Sequence, residues 1–349
     1  MSEILEHYQP GEFEYPGVGI PETEISDAKM KEAVENFEKE GYVANEKLAG
    51  IMRMAHSEIG KLLKLNNGKL SYEKVKEAED KFLKRIDNSN YNKELLAKVF
   101  FGIALANIRA AEREKGMNHK KRNEFFKENI QQKRWIENFV YENQNNPEII
   151  EEFWKEYKAT YNELPALQKK TKYEDDKRNK YSKEDNFRID KSGILGEIAA
   201  MNLFDEISKE GKTEIEIKQA SIEEDMNGID LIVRFKNKYG ELKIIPVQVK
   251  CETKNQSDDE NTIEFYSKFD FLNKKNLKND KIKKFKKACF DYEKKQRNSG
   301  NQNISVSGGL WITFTKVRDL QMIDNRGRIV DKEKKNLIKD QLKLQLELN

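Results

Sequence analysis

Residues 228 to 252 read GIDLIVRFKNKYGELKIIPVQVKCE, two apolar runs around a glycine-bearing turn, and each run carries a polar group where a strand is most deeply covered. Asp230 opens the first run, and Gln248 and Lys250 close the second. A carboxylate or ammonium taken out of water without a partner costs several kcal/mol, so such groups persist in strands when they pair, bind a metal or do chemistry. Any fold for this chain has to satisfy these three side chains together.

Strand side chains alternate between faces, so Asp230, Ile232 and Arg234 share one face of their strand, as Gln248 and Lys250 do of theirs. Closing the hairpin with the five-residue loop Asn237 to Glu241, which contains Gly240, sets Asp230 directly opposite Gln248 in an antiparallel register. Lys250 then lies diagonally across on the same face, within about 8 Å backbone to backbone. A loop of even length would destroy the arrangement. Upstream, GILGEIAAMNLF reads as a helix that is apolar nearly all round, with Glu197 as a lone acid between Ile194 and the pair Ala200 and Met201. A helix of that kind packs against a sheet, which aims Glu197 toward it.

Two carboxylates, an amide and a lysine form a mostly acidic pocket with one cation, the chemistry of a hard divalent ion. Mg²⁺ takes oxygen ligands, commonly one or two carboxylates with water and substrate phosphate. Asp230 and Glu197 supply carboxylates, Gln248 an amide oxygen and Val249 a backbone carbonyl. Lys250 is left to orient or help deprotonate a water and to balance phosphate charge. The chemistry implied is phosphodiester hydrolysis.

Around this hairpin the chain changes character twice. Residues 1 to 25 hold three of the six prolines and no sustained period, an extended arm. Segments 26 to 40, 44 to 65, 71 to 86, 92 to 115 and 121 to 142 carry apolar residues at helical spacing, Leu48, Ile51, Met52, Ala55 and Ile59 forming one stripe. A helical domain over 26 to 165 follows. Its segment EKLAGIMRMAHSEIGKLL lacks the glycine turn that would split it into a DNA-reading helix-turn-helix. A charged connector, 166 to 190, separates this half from strand-like runs at 213 to 220, 228 to 235, 242 to 251 and 306 to 315. A basic helix near 279 to 296 lies before the last strand, and a C-terminal segment, 326 to 349, ends in an amphipathic helix. Pro246 removes a ladder donor, which predicts an edge position or a local irregularity in its strand.

Composition removes several classes of function. Cys251, Cys289, His7, His56 and His119 show none of the close pairings of structural zinc. No apolar run is long enough to span a membrane and the acidic N-terminus lacks the pattern of a signal peptide, so a soluble, cytoplasmic protein is expected. Gly17 and Gly19 lack the third glycine and preceding strand of a dinucleotide loop. A formal charge of +3 leaves nucleic-acid binding to local clusters, and one exists: eight lysines with a single Asp280 between Lys274 and Lys287. Lys281, Lys284 and Lys287 are the candidates for phosphate contact. A solvated helix face accounts for them equally well.

At GILGE, GID and QVK the sequence resembles the PD-(D/E)XK phosphodiesterase superfamily, the fold of restriction endonucleases, over roughly residues 190 to 320. The resemblance implies a mixed α/β domain at 191 to 325, a restriction endonuclease-like sheet flanked by helices. It also implies Mg²⁺- or Mn²⁺-dependent cleavage of nucleic acid, DNA rather than RNA, in restriction or phage defence. Glu197, Asp230, Gln248 and Lys250 match the catalytic positions, with Gln248 where the acid before the lysine usually stands. A homodimer is left open. The alternative is an inactive nuclease-fold protein that binds nucleic acid or a protein partner. Residue by residue, Asp230 with Lys250 also reads as a cross-strand ion pair, Gln248 as a hydrogen-bonded core amide, and Cys251, on the opposite face with Val247 and Val249, as packing.

Overall fold

The computed structural model describes residues 44–66, 70–86, 91–114, 118–164, 183–211, 214–251, 262–267, 280–298, 306, 308–314 and 322–347. The expected arm, the segment 26 to 40 and most of the connector lie outside them. The chain divides into two units between Phe187 and Arg188, so the C-terminal helix belongs with the strand-bearing half.

The first unit is helical: α1 (Ala44–Leu65), α2 (Tyr72–Arg85), α3 (Tyr91–Glu114), α4 (His119–Asn143) and α5 (Pro147–Glu163). Side-chain oxygens of Ser71 and Asn118 accept from the Lys74 and Lys121 amides, and Pro147 opens α5 where no intrahelical donor is needed. The stripe on α1 is buried, and Met52, Ala55 and Ile59 share the interior with Phe82, Phe100, Phe101, Phe139 and Phe153. The segment considered as a helix-turn-helix lies within the unbroken α1. Helix α5 is an addition to the five apolar segments read from the sequence.

One polar cluster is set into this interior. The His56 ring on α1 lies between two α5 carboxylates, Nδ1 at 2.7 Å from Glu156 and Nε2 at 2.8 Å from Glu163. Burial opposes the imidazolium, but the two carboxylate hydrogen bonds outweigh it and raise the His56 pKa from 6.5 to about 9. Because the folded value is raised, the stabilisation is complete below the unfolded pKa and is lost as pH climbs through the folded one. Urea unfolding at about pH 7 and about pH 10 should therefore show a loss of roughly 2–3 kcal/mol. His56→Gln protein should lack most of that pH dependence.

The second unit begins within α6 (Lys183–Gly211) and contains β1 (Ile215–Gln219), α7 (Ile222–Asn227), β2 (Leu231–Lys236), β3 (Leu242–Cys251), β4 (Thr262–Ser267), α8 (Asp280–Asn298), β5 (Gly308–Phe314) and α9 (Lys332–Gln345). Helix α6 begins inside the stretch read as a connector. The five strands lie in the order β1-β2-β3-β5-β4, with β3 and β5 parallel and the other pairs antiparallel. Strand β4, TIEFYS, and the six-residue helix α7 are additions to the elements read from the sequence.

Helices cover the sheet on both sides. Ile232, Ile244 and Trp311 join Phe285, Ala288, Cys289 and Tyr292 of α8 in one buried cluster. On the other face α6 approaches so closely at Gly196 that a Cβ there would enter the Cys251 sulfur, with Val249 and Phe314 beside it. Helix α9 runs with α6, tied by Lys335 to Glu206 at 3.1 Å and Lys343 to Glu210 at 3.3 Å. The result is a mixed α/β unit with helices on both faces of its sheet.

Pro246 is the place where β3 departs from a strand read by pattern alone. The strand is central, between β2 and β5, so the edge reading is corrected and the irregularity is what occurs. The parallel ladder runs from Val247 opposite Leu310, whereas the isolated bridge just before it joins Ile244 to Val306. One extra residue on the β5 side lies between them, a bulge that spares the missing N–H of Pro246 from a regular ladder position.

Candidate functional site

The β2–β3 hairpin has the register that places the polar residues together. Leu231 pairs with Val247 and Lys236 with Leu242, leaving the loop Asn237 to Glu241 between the strands. Asn237 organises that loop: its side-chain oxygen accepts from the Tyr239 and Glu241 amides at 3.1 and 2.9 Å. Gly240 supplies the required left-handed residue at φ 78°.

Asp230 lies one step before β2, whose register with β3 begins at Leu231 opposite Val247, and is 6% exposed. Its backbone is held from both sides, its N–H donating to Val247 at 2.8 Å and its carbonyl accepting from Ala220 at 3.0 Å. In a regular antiparallel strand both groups of one residue face the same neighbour. This twist at the start of β2 accompanies a carboxylate that bends over the strand end. One carboxylate oxygen, Oδ2, accepts from the Gln248 side-chain amide and from the Val249 N–H, the latter at 2.7 Å. Among the described residues no donor reaches Oδ1.

Gln248, 4% exposed, turns its nitrogen to Asp230 and its oxygen toward Gly228. A Cβ at Gly228 would lie 3.0 Å from that oxygen, and the backbone there has φ 102°. Lys250 is half-buried on the same face as Gln248. Among the described residues it has no carboxylate partner; its ammonium lies 5.9 Å from the centroid of the Trp311 ring. The cross-strand ion pair with Asp230 is thus not what the hairpin forms. Cys251 points to the opposite face, its sulfur 3.1 Å from the Ser192 carbonyl, in keeping with packing.

Glu197 is 5% exposed and follows Gly196, the residue that brings α6 against Val249 and Cys251. Its helix therefore lies level with the Lys250 end of β3 but on the other face of the sheet. A site shared with Asp230 and Lys250 would have to form around the ends of the strands and not over the middle of one face. Val249 donates its N–H to Asp230 and, by strand alternation, presents its carbonyl along the same β2-facing edge. Among the described residues no three of His, Cys, Asp and Glu are grouped to hold a metal.

The basic helix is α8. Phe285, Cys289 and Tyr292 are buried, burial pushes the Cys289 thiol well above its usual range, and Lys281, Lys284 and Lys287 are exposed. Lys284 also donates to the Met226 carbonyl at 3.0 Å, at the end of the short helix leading to Asp230. No helix among the described residues is long and apolar enough to cross a membrane.

The chain matches no known protein family, no curated protein and no solved structure.

Two contributors to this site escaped the sequence reading. Gly228 stood in the GID motif without a role, although a glycine immediately before a buried acid is itself a signal of unusual backbone. Trp311 lay in a uniformly apolar run that offers no periodic cue. Gly228 gives a direct comparison with Gly240, since a Cβ at Gly240 meets nothing within 4 Å. Asparagine tolerates left-handed backbone, so Gly240→Asn should change stability by less than about 0.5 kcal/mol. Gly228→Asn must also displace the Gln248 amide and should cost about 1–3 kcal/mol in urea unfolding.

Proposed function

We propose that the second unit is a Mg²⁺- or Mn²⁺-dependent nuclease of the restriction endonuclease-like kind that hydrolyses phosphodiester bonds in DNA, with restriction or phage defence as its setting. The observation that carries this reading is the pair formed by Asp230 and Lys250. The carboxylate has one oxygen anchored by two donors and the other without a donor among the described residues. On the same face a half-buried ammonium has no acid to neutralise it among those residues. A structural ion pair would have joined these two groups to each other.

The donor set suits a hard divalent ion, since every available ligand atom is oxygen. Asp230 and Glu197 would hold it, with the Val249 carbonyl and the Gln248 amide oxygen once that amide turns from Asp230. Such an ion supplies positive charge against phosphoryl oxygens and lowers the pKa of water. The rest falls to the chain. Val249 N–H fixes the Asp230 carboxylate. Lys250, with three donors and no acceptor, orients water and balances charge on the phosphate. Exposed lysines of α8 replace counterions along the DNA backbone.

The bond from Gln248 to Asp230 also favours a second reading. A nuclease-fold protein that has lost catalysis and only binds nucleic acid or a protein partner would use this amide to satisfy a leftover carboxylate.

Single-turnover cleavage of plasmid and single-stranded DNA, with and without Mg²⁺ and Mn²⁺, separates the two. Under the nuclease reading Asp230→Asn and Lys250→Ala should each lower the rate by about 10²-fold or more, while Gln248→Ala, a neutral ligand replaceable by water, loses less than about tenfold. Folded parent protein that cleaves neither substrate with either metal would leave the binding reading in its place.

DNA affinity tests the basic helix separately. Neutralising Lys281 and Lys287 should reduce the slope of log affinity against log salt by roughly 0.9 for each duplex phosphate that the protein no longer neutralises, with the rate at saturating DNA retained. Lys284 is the less clean probe because it also holds Met226. An unchanged slope would make this face a solvated one.

A further inference from the structure

A lysine that must present charge to a phosphate gains little from a carboxylate neighbour, because the acid neutralises it and occupies its donors. An aromatic face stabilises an ammonium without adding net negative charge, and leaves its three N–H donors for other acceptors. Lys250 has that environment. Its ammonium lies 5.9 Å from the Trp311 ring centroid, and no carboxylate among the described residues pairs with it.

Trp311 is itself held in place. It sits opposite Gln248 in the parallel β3–β5 ladder, and Thr313 sits opposite Lys250. The indole Nε1 donates to the Thr313 hydroxyl at 3.1 Å. The ring meets Phe285 of α8 edge to face, centroids 5.6 Å apart and planes at 73°. Only 7% of the residue is exposed. Phe285 belongs to the buried stripe of the helix that carries Lys281, Lys284 and Lys287 on its outer surface. One aromatic stack therefore runs from the basic helix to the underside of Lys250.

We propose, resting on the nuclease reading, that Trp311 is a positioning residue for phosphodiester cleavage: its π face holds the Lys250 ammonium, which has no acid partner among the described residues, at the Asp230 end of the sheet. The role requires an aromatic face and not the indole specifically. Trp311→Phe should keep the face and Trp311→Leu should keep only apolar bulk.

Two measurements test this, one of them independent of activity. In single-turnover cleavage of duplex DNA with Mg²⁺, Trp311→Leu should lower the rate at saturating DNA on the order of tenfold with half-saturation unchanged, and Trp311→Phe should restore it to within about threefold of the parent. In NMR spectra of lysine-labelled parent protein, the Lys250 Hε signal, assigned by its absence in Lys250→Arg, should lie upfield of the exposed lysines through the indole ring current. That reading stands even where Trp311→Leu protein does not fold. A Lys250 signal among the exposed lysines overturns the proposal, as does folded Trp311→Leu protein with the parent rate. A shifted signal in parent protein that cleaves no DNA overturns the nuclease reading, and with it the catalytic role of the contact, while the contact itself stands.

Discussion

The Asp230 carboxylate, drawn over the end of β3 by the Gln248 amide and the Val249 N–H, is the interaction on which the site depends. Two donors on one oxygen hold this buried carboxylate in a defined direction. Three separate local features converge on this bond. The Asn237-centred loop sets the register that brings residue 230 beside residue 248. The left-handed Gly228 lets the chain turn out of α7 without a side chain in the space of the Gln248 oxygen. The split backbone bonding of Asp230, N–H toward β3 and carbonyl toward β1, swings its side chain over the strand end.

Close approach of helices to the sheet then decides which elements lie near that end. Gly196 brings α6 against Cys251 and Val249, which fixes the level of Glu197 relative to β3. On the other face Gly309 lies so near Phe285 that a Cβ would stand 2.7 Å from its ring. This lets α8 settle against Trp311. Each contact replaces a side chain by backbone at the interface, and small residues are what make such approach possible. The apolar face of α8 is thereby committed to the sheet, while its lysines remain outside.

The hairpin was the most legible part of the sequence because period-two alternation and an odd loop length together determine facing residues. Those two rules alone put Asp230 beside Gln248, and Cys251 on the opposite face. The stripe on α1 followed in the same way from period 3.6. Other features had no such signal. TIEFYS is six residues beside a charged run, and IEEDMN is too short for helical period to register. Pro246 argued for an edge or an irregularity without saying which, and the extra residue on the β5 side is the irregularity that accommodates it in a central strand. The partner of Lys250 was not legible either, because Trp311 comes from a strand more than sixty residues away, paired in a parallel register that no short-range rule supplies.

The proposed nuclease requires that the anchored Asp230 carboxylate belong to an oxygen site for a divalent cation. Isothermal titration of the full chain with Mn²⁺, compared with the Asp230→Asn variant under conditions where both are folded, tests it without reference to cleavage. Saturable binding near one ion per chain in the parent, weakened at least about tenfold in the variant, is the expected result. Equal binding by the two proteins, or none by the parent, would contradict the account and leave the Asp230–Gln248 bond as a device for covering the end of the sheet.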